Sequence, residues 1–262
     1  MTDAYLTALG GDRYLPSEHA GGAWQPGELH FAPLGGLLTH AIERHRDAVG
    51  GAPLLLSRIA FDILGFLALD EIAVRVETRR SGRTIELTEA TASIAGRAVA
   101  VARAWHSVAG DTASVEGGAA PALPSPAGAR PATFDEAWGG GFVRSLELRQ
   151  IGEAAPGRGA AWVRSAHPLV DGEPVSALAR WIGLIDVVNG VAVRATPEAW
   201  MFPNLDLTVH LLRQPEGGWI GMDTTVAFGP TGQGITAAEL HDERGHVGRA
   251  SQTLTVRPSA RG

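Results

Sequence analysis

Residues 79–108 read RRSGRTIELTEATASIAGRAVAVARAWHSV, and residues 228–256 read FGPTGQGITAAELHDERGHVGRASQTLTV. In each, a Gly-containing turn leads into a long strand-like run, a second turn at Gly96 or Gly245, and another run. An offset of 149 places Gly96 on Gly245 and Arg103 on Gln252. Two copies of one unit, head to tail, predict a pseudo-symmetric molecule with a groove between the copies.

The flanking sequence supports the repeat. In the first half, residues 33–47 place Leu34, Leu37, Leu38, Ala41, Ile42 and His45 at the spacing of one buried helix face, with Pro33 suited to the first turn. Strands are expected over residues 54–64, 71–79, 84–94 and 98–108. Alternation is clearest in Ile72, Val74, Val76 and in Ala98, Ala100, Ala102. In the second half a strand over residues 159–165 precedes a helix over residues 176–189. Ser176 would be its N-cap and Gly190 lies just past its end. Leu178, Trp181, Ile182, Ile185 and Val188 form its apolar stripe. Strands follow near residues 205–213, 218–228, 234–241 and 246–257. Residues 109–133, rich in Pro, Gly and Ala without periodicity, read as a linker. The expected organisation is therefore an N-terminal unit at 1–108, the linker at 109–133, and a C-terminal unit at 134–262. One helix against an antiparallel meander in each unit is an α+β arrangement.

Composition narrows the function. A net charge of -6 argues against broad nucleic-acid binding. Cysteine is absent, which removes disulfides, thiolate metal sites and a cysteine nucleophile. No apolar run approaches the length of about 18 residues that a membrane span needs. Residues 1–16 lack the basic start and apolar stretch of a signal peptide. The expected setting is a reducing cytoplasm. There is no lysine, so an anionic ligand would be met by Arg, His or backbone N–H groups. The nine histidines do not cluster at metal-ligand spacing, and no metal or cofactor is expected. Gly139–Gly141 precede a strand-like run over residues 142–148, not the helix that a phosphate loop requires.

Four pieces of sequence carry a family resemblance. They are Leu34-Gly35-Gly36-Leu37, the run from Val76 to Arg83 (VETRRSGR), Asp186 with Asn189 nearby, and the run from Asn204 to His210 (NLDLTVH). Together they resemble the double-hotdog acyl-CoA thioesterases, the type II (TesB-like) group. The resemblance implies two fused hotdog units, each a long helix wrapped by an antiparallel sheet. It implies hydrolysis of acyl-CoA to free acid and CoA by an activated water; separately, the outer face left by a sheet wrapped on one helix predicts a homodimer or higher homo-oligomer. The resemblance also implies a catalytic set of Asp, hydroxyl and Gln. Asp206 stands at the family's strand Asp and would be the base. Gln252 matches when counted back from Val256-Arg257, whereas counting forward from Gly245 reaches Thr253. The hydroxyl falls near Ala227, with Thr225 the nearest same-face candidate. Gly35, Gly36 and Asp186 would border the substrate, with the first helix start polarising the carbonyl. Arg79, Arg80 and Arg83 suit either CoA phosphates or a solvated hairpin. Two alternatives stay open: a hotdog that binds acyl thioesters without turnover, and a hotdog hydratase or dehydratase acting on enoyl thioesters. The second would need a His–acid pair at the helix, which the sequence does not display.

Overall fold

The computed structural model describes residues 3–50, 52–134 and 138–259. The first half contains β1 (Leu6–Gly10), β2 (Arg13–Pro16), α1 (Phe31–Ala48), β3 (Leu54–Ile63), β4 (Ile72–Arg80), β5 (Ile85–Ile94) and β6 (Arg97–Val108). Then come β7 (Arg130–Ala132), α2 (Gly141–Arg144), β8 (Leu146–Ala155), β9 (Arg158–Ser165), β10 (Val170–Asp171), α3 (Ala177–Ile182) and α4 (Val188–Val191). The chain ends with β11 (Trp200–Met201), β12 (Asp206–Leu211), β13 (Ile220–Phe228), β14 (Gln233–Asp242), β15 (Gly245–Thr255) and β16 (Arg257–Pro258).

Fourteen strands form one sheet, in the order β10-β1-β2-β4-β5-β6-β3-β12-β15-β14-β13-β9-β8-β7. Outward from the centre, one half runs β3, β6, β5, β4, β2 and the other β12, β15, β14, β13, β9. The connectivity is the same on both sides, which is the repeat legible in the sequence. The halves meet where β3 pairs antiparallel with β12, Thr208 opposite Ala60 and Val209 opposite Ile59. That pairing gives each unit's edge strand a partner in place of exposed N–H and C=O groups. At the far end β10 pairs with β1, so a strand of the second half also closes the first. The architecture is an α+β double hotdog.

The inner face of the sheet is built for close helix packing. Ala90, Ala92, Ala100, Ala102 and Ala104 are fully buried there, and α1 contributes the buried Leu34, Leu37, Leu38 and Ile42. Small residues on the sheet leave room for large ones on the helix, which lets the two layers approach closely. A bulge between Ala92 and Ser93 turns Ala98 out to solvent, although its spacing suggested the inner row.

Three expectations change. The second helix is not continuous over residues 176–189. Ser176 does cap α3, accepting from the Ala179 N–H at 2.9 Å, but the helix breaks at Gly183. A 3-10 turn, Ile185–Val187, and the short α4 follow. The cause lies in the other half: a Cβ on Gly36 would sit 2.9 Å from Gly183 Cα, so α1 and α3 touch backbone to backbone. Next, residues 142–148 are not one strand, because α2 takes their first part and β8 starts at Leu146. Finally, the later part of segment 109–133 is packed and not free, whereas residues 109–119 are exposed. Pro124 O accepts from Trp162 Nε1 at 2.7 Å, and Leu123 and Ala129 cover Trp162 and Trp219.

Candidate active site

Asp186 stands in the 3-10 turn created by the helix break and is 5% exposed. Its Oδ1 accepts from Asn204 Nδ2 at 2.7 Å and from Gln252 Nε2 at 2.9 Å. Gln252 lies on the inner face of β15, between the buried Ala250 and Leu254. Asn204 stands just before β12 and is fixed by a second bond from Nδ2 to the Asp206 carbonyl, 3.0 Å. Three polar side chains from three elements therefore converge on one point of an apolar layer.

A loop from the first half covers this point. Glu28 accepts the Trp24 and Gln25 N–H groups at 3.1 and 3.3 Å, which closes the loop on itself. Gly140 and Gly141 hold it from beneath. A Cβ on either would overlap the carbonyl oxygens of Gly22 and Glu18, and Gly140 has φ +97. Only glycine permits that approach and that backbone. The loop ends at His30, the N-cap of α1, whose Nδ1 accepts the Ala32 N–H at 3.1 Å. Asp186 Oδ2 lies 3.7 Å from the same nitrogen.

Burial sets the charge states. It lowers the His30 pKa to about 3, so the imidazole is neutral. With Nδ1 used as an acceptor, its proton is on Nε2. The His30–Asp186 approach is therefore not an ion pair near neutral pH. Burial raises the Asp186 pKa to about 7, against the opposing effect of the Asn204 and Gln252 hydrogen bonds. A carboxyl that ionises near pH 7 is matched to accept a proton under ordinary conditions. Gln252 Oε1 is buried without a hydrogen-bond partner, so the amide that donates to Asp186 keeps a free acceptor.

Two cavities adjoin this cluster and share Ala23, Trp24, His30, Asp186 and Asn204. One, of about 130 Å³, also has Glu28, Phe31, Gly65 and Pro203 in its wall. The other, of about 40 Å³, has Phe134, Trp138, Val143 and Asn189.

The structure brings together only part of the residues picked from sequence. Asp186 and Gln252 meet. Asp206 does not join them: in β12 the buried Leu207 and Val209 face inward, and Asp206 points to the other face. Its Oδ1 accepts the Thr253 N–H across the strand pair. Thr225 is exposed on the outer face and bonds the Ala237 carbonyl at 3.4 Å, while its buried neighbour Thr224 points inward. Gly35 and Gly36 are the fifth and sixth residues of α1, past the first turn whose N–H groups lack helical partners. Gly36 instead serves the contact with Gly183. Arg79 bonds Glu89 in a surface ion pair. Sequence reasoning missed Asn204 as a site residue and passed over His30, Trp24 and Trp138. Asn204 heads the NLDLTVH stretch, and an amide before a strand was the available signal. Among the described residues no group of three or more His, Cys, Asp or Glu could hold a metal ion. Among the described residues no helix is long and apolar enough to cross a membrane.

Comparison with known proteins agrees with this fold. The acyl-CoA thioesterase N-terminal domain profile matches residues 21–107, and the C-terminal domain profile matches residues 126–256. No curated protein matches the chain. Among solved structures, it is similar to a hot dog fold protein of unknown function from Alicyclobacillus acidocaldarius, with a TM-score of 0.75 at 15% identity over 98% of this chain and 97% of that one. It is similar to the tesB protein of Mycobacterium avium subs. paratuberculosis, with a TM-score of 0.69 at 17% identity over 97% and 96%. The acyl-CoA thioesterase II TesB2 of Mycobacterium marinum gives 0.67 at 19% identity over 97% and 96%. These likenesses establish the fold, and the matched domains establish the family: the chain belongs to the acyl-CoA thioesterases, with a double-hotdog fold, and is a thioesterase.

Proposed function

We propose that the protein hydrolyses acyl-CoA thioesters to free acid and CoA, with water as the nucleophile and Asp186 as its base. The observation that carries this reading is the buried Asp186 carboxyl, held by Asn204 and Gln252 at the junction of two cavities. Asp186 Oδ1 is occupied by the two amides, which leaves Oδ2 to take the proton of a water. Gln252 Oε1 can accept the water's other hydrogen and hold its lone pair toward the carbonyl carbon. As the C–O bond forms, the carbonyl oxygen gains negative charge. The first turn of α1 borders the same cavity through Phe31 and favours that charge, since helix N-terminal N–H groups point outward. Collapse of the tetrahedral intermediate expels the thiolate, which recovers a proton from Asp186 or from solvent. Neutral His30 leaves Asp186 without a cation to depress its pKa.

The test is thiol release from acyl-CoA by Asp186→Asn and Asp206→Asn proteins. General-base contributions are typically about 100- to 10,000-fold. Asp186→Asn should lose turnover on that scale, and Asp206→Asn should stay within about 3-fold of the parent. The reverse ranking would move the base to β12.

One observation favours a second reading. The fold creates a His–acid pair that the sequence does not display: His40 Nε2 lies 3.1 Å from Glu173 Oε2, and Glu173 borders a separate cavity of about 190 Å³. Hydration of an enoyl-CoA, lost in His40→Gln, would support a dehydratase-type activity there. Arg44 approaches the same carboxylate at 3.5 Å, as expected for an ion pair that ties α1 to the loop after β10.

A further inference from the structure

Resting on the thioesterase reading, we infer that the site selects a short acyl group carrying a hydrogen-bonding oxygen, as in a 3-hydroxyacyl thioester. The argument starts from the two cavities that meet at Asp186. The larger one has the carboxylate of Glu28 and the Gly65–Pro203 margin in its wall, which suits the polar thiol arm. The smaller, walled by Trp24, Phe134, Trp138, Val143 and Val187, is left for the acyl group.

Its size limits the chain. A cavity needs roughly 10–15 Å³ to hold one water-sized heavy atom. On that scale about 40 Å³ takes on the order of two to four heavy atoms. The wall behind it does not yield easily. The Trp24 and Trp138 rings meet edge to face with centroids 4.8 Å apart, and both pack on Phe202 at 5.2 and 5.6 Å. Phe202 is fully buried. A chain of ten carbons would have to displace this block of three interlocked rings.

The wall is also polar in a way that an alkyl chain cannot satisfy. Trp138 is 7% exposed, and its Nε1–H is buried without a hydrogen-bond partner. Asn189, 8% exposed, makes no side-chain hydrogen bond among the described residues and borders the same cavity. A buried donor without an acceptor is costly, and most such groups in proteins are paired. An oxygen on the acyl group gives the indole N–H an acceptor, and a hydroxyl also gives the Asn189 carboxamide a donor. A plain butyryl group leaves both unpaired. Sites that bond a substrate hydroxyl reject the analogue lacking it far more strongly than a pocket rejects a missing methylene.

The experiment measures kcat/KM by thiol release for 3-hydroxybutyryl-, butyryl-, decanoyl- and palmitoyl-CoA. The expected order puts 3-hydroxybutyryl-CoA at least about 10-fold above butyryl-CoA, and both above the long chains. Trp138→Phe keeps the ring and removes the N–H, so the hydroxybutyryl-to-butyryl ratio should fall to within about 2-fold. Asn189→Leu should lower the same ratio. Trp138→Ala should open the wall and raise the rate on decanoyl-CoA relative to butyryl-CoA. A parent enzyme that prefers palmitoyl-CoA, or a ratio unmoved by both Trp138→Phe and Asn189→Leu, overturns the inference. Failure of the underlying reading looks different: no thioester in the panel is cleaved. Calorimetric binding of the two four-carbon thioesters then decides selectivity alone, equal affinities refuting it and a hydroxybutyryl preference sustaining it.

Discussion

At the residue scale the site is one carboxyl placed where water cannot stabilise its charge. Burial raises the Asp186 pKa from its ordinary 3.8 to about 7, so folding favours the protonated form. The stability gained is complete below pH 3.8 and is lost as pH rises through about 7. Asp186→Asn, which stays neutral, should therefore match the parent near pH 4. It should exceed the parent at pH 8 by on the order of 4 kcal/mol. Urea unfolding at the two pH values measures this, and an unchanged difference between them would mean that the carboxyl is ionised in the fold at no cost. Without the family resemblance, the sequence made Asp186 visible only as a polar residue beside an apolar helix stripe. Its partners lie 18 and 66 positions away in the chain, and no local pattern links them. Asp206, conspicuous as a charge inside an apolar strand, is turned outward by the two-residue period of β12.

At the element scale, the long α1 was readable because its apolar spacing follows the helical period over four turns. The break between α3 and α4 was not, because its cause is the contact of Gly183 with Gly36 of the other half. That contact makes a prediction. Gly36→Val would drive a side chain into backbone at 2.9–3.1 Å, and backbone cannot rotate aside. A loss of at least about 1–3 kcal/mol is expected, read as a lower thermal midpoint. Gly35→Ala meets side-chain rings, the Phe31 edge at 3.3 Å and Phe61 at 3.8 Å, and because the Phe31 ring can shift it should cost much less. Equal effects would show that the two helices do not meet where the structure places them. The short β1 and β2 were also missed. A four- or five-residue strand carries little pattern of its own, and β1 depends on β10 for part of its pairing.

At the scale of the whole molecule, the repeated meander was the most legible feature, since strand alternation and the turns at Gly96 and Gly245 recur in both halves. The segment 109–133 was readable only as composition. Its Pro and Ala content suggested a tether, yet Leu123, Pro124 and Ala129 seal Trp162 and Trp219 on the outer face. Replacing residues 121–129 with Gly and Ser should expose both indoles and lower the thermal midpoint by about 2–4 °C for each kcal/mol lost. An unchanged midpoint and unchanged tryptophan fluorescence would restore the tether reading. The outer face also exposes Leu55, Ile85 and Ile235 among its charged residues, and we expect copies to associate through it. A homodimer would sediment at twice 27.4 kDa.

The account's central claim is that Asp186 accepts the proton of the attacking water. The most direct measurement is the pH dependence of kcat/KM for thiol release from pH 5 to pH 9, for the parent and for Asn204→Ala. The parent rate should rise with pH and level off above an apparent pKa near 7, the value burial gives Asp186. Asn204→Ala removes a hydrogen bond that lowers that pKa, so its curve should shift to higher pH. A parent rate that is flat across this range, or an Asn204→Ala curve superposable on it, would contradict the claim.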